Sequence, residues 1–167
     1  MRIFRRKKTV KNSVSLGQIK ILRAHSETRA MSPQEVEKFL GEGRKIMRIA
    51  TLTEKSEPYI TPVWYFYKGG KLFFMADKNS KKIKNIKRNN VMSFCIDRDS
   101  VPYRGVRGIS KAHIVSDPNK ALKIRTELII KYLGNLKGPW AQRYLEEGRK
   151  GNGVVVEIDL GILITWN

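Results

Sequence analysis

The pattern of apolar and polar positions divides the chain into short elements from residue 32 onward. Ser32-Pro33-Gln34-Glu35 reads as a capping box with Pro at the first helical position, followed by Val36, Phe39 and Leu40 at helical spacing and stopped by Gly41 and Gly43. Residues 45–53 then read as a strand carrying Ile46, Met47, Ile49, Ala50 and Leu52, and residues 59–67 as an aromatic and β-branched strand. Lys68-Gly69-Gly70-Lys71 is a hairpin turn, because Gly-Gly supplies the positive φ angles of a tight turn, and residues 72–76 form the return strand. Asn79 or Ser80 caps a helix with Ile83 and Ile86. Strands follow at 91–96 and 103–115. Asp117-Pro118 opens a helix whose apolar face is Leu122, Leu128, Ile129, Tyr132 and Leu133, and Pro139 opens another with Trp140, Tyr144 and Leu145. Two strands, 153–158 and 162–166, complete the pattern. About six strands run in succession instead of alternating singly with helices, which predicts an antiparallel barrel or α+β fold and not a doubly wound parallel sheet.

Composition narrows the function classes. The 167 residues include 34 Lys+Arg and 15 Asp+Glu, a net charge of +19. Nine of the cations and only one acid, Glu27, fall within residues 1–31, which have little periodicity. We read residues 1–31 as a basic, flexible N-terminal extension, a solvated tail in preference to an arm for nucleic acid or acidic partners, and residues 32–167 as the folded domain. Cys95 is the only cysteine and His25 and His113 the only histidines, so internal disulfides and multi-Cys or His-rich metal sites are excluded. No apolar run approaches the ~18 residues of a membrane span, and the expectation is a reduced, cytoplasmic, soluble protein. Cys95 sits in an apolar strand as an inert thiol, and His113 is expected to be structural. Most acids lie on helix faces (Glu35, Glu37, Glu146, Glu147), leaving no carboxylate pair for hydrolysis.

Three positions break local rules. The Ser80 helix begins with Lys81, Lys82 and Lys84 after Lys78, although a helix N-terminus already carries about half a positive charge. Free N–H groups, a hydroxyl and adjacent lysines suit a phosphate; the alternative is chance clustering in a Lys-rich chain. Arg48 stands between Met47 and Ile49 in an apolar strand, facing either an anionic ligand or solvent. Pro62, inside a strand, marks an edge or a bulge.

These oddities occur together in one family. Arg48-Ile49-Ala50-Thr51-Leu52 with Pro58-Tyr59-Ile60-Thr61-Pro62-Val63-Trp64 resembles the first hairpin of the pyridoxamine 5′-phosphate oxidase-like FMN-binding split barrels. Residues 72–76 followed by Ser80-Lys81-Lys82 are similar to that family's phosphate-binding strand and helix start, residues 104–112 to its long strand, and residues 158–166 to its closing strands. The resemblance spans about residues 32–167. It implies a six-stranded antiparallel split β-barrel of Greek-key type with peripheral helices, forming a homodimer with FMN in each intersubunit groove. Carried over by position, Arg48, Lys81 and Lys82 hold the phosphate with Ser80 assisting. Ile49, Ala50 and Thr51 line the flavin ring, and Met75 and Ala76 pack near the ring or its ribityl chain. Gly105 replaces a flavin-contacting Gln of the true oxidases, and the chain ends at Trp166-Asn167 without their Arg- and His-bearing tail.

The resemblance therefore implies a flavin reductase or an F420-dependent enzyme, passing hydride between the cofactor and a small-molecule donor or acceptor, with no catalytic side chain named. Trp64 and Trp166 either flank the ring or belong to the core. The rival from another class is a basic nucleic-acid-binding module, with strand aromatics stacking on bases. A third reading is a haem or flavin carrier.

Overall fold

The computed structural model describes residues 19–167, so residues 1–18 of the expected basic extension lie outside the described residues. Within the remainder of that stretch, β1 (Lys20–Arg23) pairs in parallel with the last strand, and the Met31 N–H donates to Thr165 Oγ1 at 2.9 Å. Helix α1 (Pro33–Gly41) carries the capping box in full: the Glu35 N–H donates to Ser32 Oγ and the Ser32 N–H to Glu35 Oε2. Its Val36 and Leu40 are fully buried.

The chain then builds half a barrel, β2 (Ile46–Leu52), β3 (Pro58–Trp64), β4 (Phe66–Lys68) and β5 (Lys71–Asp77). Helix α2 (Lys81–Arg88) crosses to β6 (Val91–Asp97), which lies beside β2, and β7 (Gly105–Ile114) follows. Helices α3 (Pro118–Leu133) and α4 (Pro139–Arg149) lead to β8 (Gly153–Asp159), paired with both β7 and β5, and β9 (Ile162–Trp166) adds to β7. With β3 and β4 counted as one bent strand, six antiparallel strands close a barrel, and β1 and β9 are extra. The fold is α+β, as the alternating burial along β6 and β7 requires of strands with one face inward.

The barrel is filled by Met47 and Ile49, Leu72 and Phe74, Phe94 and Ile96, Val156 and Ile158, and plugged by Ile83 and Ile86 of α2. Each such side chain contributes roughly 1.5–3 kcal/mol by leaving water. A second cluster, Phe73 and Val155 under Ile124, Leu128 and Tyr132, seats α3 on the outside, and Ile129, Ala141 and Leu145 join α3 to α4.

Two details depart from the sequence pattern. The strand expected over residues 59–67 breaks at Tyr65, which is fully buried. There the chain exchanges β2 for β5 as its partner, and the Tyr65 N–H donates to Tyr132 Oη at 3.1 Å, which in turn donates to the Lys45 carbonyl at 2.6 Å. A buried N–H that leaves the ladder at a barrel corner needs such a partner. On α3 and α4, Leu122 and Trp140 of the expected apolar faces are exposed, while Arg125 is buried at 4% exposure. The Gly69-Gly70 turn has φ of 57° and 74°, as the hairpin demands.

Candidate functional site

Alternation along β2 sorts the expected ring-lining residues onto two sides. Ile49 and Thr51 point into the barrel at 0% and 1% exposure, whereas Arg48 and Ala50 belong to the outer face. Thr51 is further committed: its Oγ1 accepts from Asn85 Nδ2 at 3.0 Å, tying β2 to α2. The side chains of Ile49 and Thr51 are therefore not offered to a ligand on the outer face. Pro62 of β3 stands opposite Arg48 in register, and Trp64 opposite Ile46.

Beside this hairpin lies a cleft of about 420 Å³, lined by Ile46, Pro62, Val63, Trp64, Met75, Lys82 and Tyr144. Its aromatic wall is rigid. Trp64 stacks on Tyr132 with ring centroids 4.8 Å apart and planes 2° from parallel, and Tyr144 meets Trp64 edge-on at 5.7 Å. Met75 and Ala76 lie at the end of β5, where Ala76 also packs toward the barrel core.

The start of α2 borders the cleft. Ser80 is the N-cap residue, but its hydroxyl donates to the Asp77 carbonyl at 2.7 Å and caps no helix N–H. The first turn contains no acid. Lys82 is half-buried, and burial pushes its pKa down while Asp77 opposes the shift. Lys81 is exposed, its Nζ 5.0 Å above the Tyr59 ring. An uncapped helix start followed by two lysines is an arrangement that stabilises an anion.

Arg48 does not join the lysines in that cleft. Its Nη1 donates to Asp97 Oδ1, and it lines a neighbouring groove of about 780 Å³ with Arg44, Lys45, Arg98 and Arg104. Ile46 borders both spaces. The structure thus gathers Met75 and Lys82 with Ser80 and Lys81 at the rim, and sets Arg48 one groove away. Cys95 is half-buried between Arg48 and Arg107 in register, and burial raises its thiol pKa, the reverse of an activated thiolate. Trp166 packs over Gly105: a Cβ there would lie 2.0 Å from the indole. A side chain at position 105 would collide with Trp166 where it now packs.

Sequence reasoning missed Asp77, Tyr132 and Tyr144 as parts of this site. The two tyrosines read as helix core, and only their reach to Trp64 across α3 and α4 brings them in. The outer face of the sheet formed by β3, β2, β6, β7 and β9 leaves Ile60, Ile109 and Ile162 exposed at 68%, 69% and 52%. Among the described residues no helix is long and apolar enough to cross a membrane.

A search of curated proteins finds no match to the chain. Solved structures do match in fold. The conserved hypothetical protein Rv2991 from Mycobacterium tuberculosis superposes with a TM-score of 0.72 at 22% identity, covering 86% of this chain and 88% of the other. An F420 reductase gives 0.61 at 23%, covering 76% and 94%. An FAD-binding protein from Mesorhizobium loti gives 0.58 at 18%, covering 82% and 95%. Residues 32–166 match the family described as pyridoxamine 5′-phosphate oxidase. The chain belongs to the pyridoxamine 5′-phosphate oxidase-like family.

Proposed function

We propose that the protein is a flavin-binding oxidoreductase that holds FMN in the cleft beside α2. The observation that carries this reading is the uncapped start of α2, with Lys81 and Lys82 and no acid in its first turn, opening beside an aromatic cleft. A phosphate needs fixed cations and free N–H groups; a flavin ring needs a flat apolar wall. Lys81, Lys82 and the amides of the first turn would hold the phosphate, and Trp64, Pro62 and Met75 would border the ring. Bound flavin supplies the hydride chemistry, so no side chain is assigned as acid or base. Arg48 would act from the adjoining groove, as a third cation whose charge Asp97 partly offsets.

The exposed isoleucines on the outer sheet face support a homodimer that covers this face and closes the groove. The electron donor or acceptor in this reading is a small molecule, and the setting is the cytoplasm. The deazaflavin F420 is the second reading. The groove lined by Lys38, Arg44, Lys45, Arg48, Arg98 and Arg104, against Glu35, Glu42, Asp97 and Asp99, keeps an excess of cations for its acidic tail, and an F420 reductase shares the fold.

Titration of the purified protein with FMN and with F420, followed by cofactor fluorescence, tests both. Micromolar binding of FMN is expected. If neither cofactor binds, while a random RNA binds with steep salt dependence, the protein is a nucleic-acid-binding module instead.

A further inference from the structure

Arg125 of α3 is a buried cation with no carboxylate partner among the described residues. It is 4% exposed, yet its guanidinium donates only to the Tyr144 carbonyl at 3.2 Å, the Gly153 carbonyl at 2.7 Å and, weakly, the Met75 sulfur. Carbonyl dipoles satisfy N–H groups without cancelling the charge, and burial alone shifts this group, pushing its pKa down. The space it occupies exists because two positions lack side chains. A Cβ on Gly148 would lie 2.4 Å from Arg125 Nε, and one on Gly153 2.9 Å from Nη1.

This guanidinium lines a pocket of about 290 Å³, at the small end of ligand sites. Trp140, 60% exposed, and Tyr144 supply aromatic surface, and Arg143 adds a second cation, its guanidinium 5.5 Å from the Trp140 ring. Asp77 and Glu147 also line it; Asp77 Oδ1 already accepts the Asn79 N–H, and neither acid pairs with Arg125. Met75 and Tyr144 are shared with the aromatic cleft, so the two spaces adjoin.

We propose that this pocket binds a small planar monocarboxylate, its ring against Trp140 and its carboxylate toward Arg125 and Arg143. A monoanion fits because the two acids on the wall repel further negative charge. As a statement about substrate class, this rests on the adjoining cleft being the flavin site; as a binding site, it stands independently.

Calorimetric titration with benzoate, its neutral isostere benzamide and the dianion phthalate tests it. Benzoate is expected to bind at least tenfold tighter than either of the others. Trp140→Ala, at an exposed position that leaves the core intact, and Arg143→Ala should each weaken benzoate at least tenfold. Lys82→Ala should weaken FMN and leave benzoate unchanged. Benzoate binding no tighter than benzamide, or binding untouched by Trp140→Ala, would overturn the proposal. Failure of FMN to bind while benzoate behaves as expected would remove the flavin reading and keep the pocket.

Discussion

Replacing Lys81 and Lys82 together with Ala is expected to weaken FMN binding by roughly 100-fold or more. Each lysine is assigned a charge-assisted contact to the phosphate, worth about 1.5–3 kcal/mol. Lys81 is exposed and Lys82 only half-buried, so the lower end applies to both and the sum is about 3 kcal/mol, two decades in affinity. Each single change should account for about half of this loss. Thermal stability should not fall, since removing cations from a helix N-terminus relieves an unfavourable interaction of about 0.3–1 kcal/mol each. Fluorescence titration of FMN checks the affinity, and a melting curve of the cofactor-free variant checks the stability. Unchanged FMN affinity in the double variant would sink the phosphate assignment.

Gly105→Gln is expected to destabilise this protein. The new Cβ would lie 2.0 Å from Trp166 Cζ2 and 2.5 Å from Cε2, so the indole must leave its place on the β7–β9 pair. Overpacking of this kind costs about 1–3 kcal/mol. For a chain of this size that lowers Tm by roughly 2–10 °C. A second change, Trp166→Ala, removes the collision and should recover part of the loss, so the two substitutions are non-additive. A Tm for Gly105→Gln equal to that of the parent would show that Trp166 yields without cost.

How far the sequence alone reaches can be judged from these residues. The elements follow from periodicity and punctuation. The Ser32 capping box and the Gly69-Gly70 turn are local signals, and each is present in the structure. The break at Tyr65 left no local mark, because residues 63–67 are apolar and aromatic without interruption, and Thr61 and Pro62 lie before the break. The cause is a change of strand partner, stabilised by Tyr132 at a separation of 67 positions. Strand β1 escaped for a similar reason: four residues become a strand only by pairing with β9, Lys20 opposite Ile162.

At the site, the lysines of α2 were legible because they violate the charge preference of a helix start. Arg48 was legible as an oddity, but its partner Asp97 lies 49 positions away and no spacing rule reaches it. The inward turn of Ile49 and Thr51 follows from strand alternation once the barrel side is known. Arg125 was invisible. One more cation in a lysine-rich helix carries no signal, and its burial depends on Gly148 and Gly153 in elements that follow it.

The start of α2 is proposed to recognise the phosphate of a flavin. Comparing FMN with riboflavin isolates it, since the two differ only by that phosphate. Parallel fluorescence titrations of the full chain at one salt concentration are predicted to give FMN a Kd at least 100-fold below that of riboflavin, with the gap closing in the Lys81→Ala/Lys82→Ala variant. Equal affinities for FMN and riboflavin in the parent protein would contradict the account.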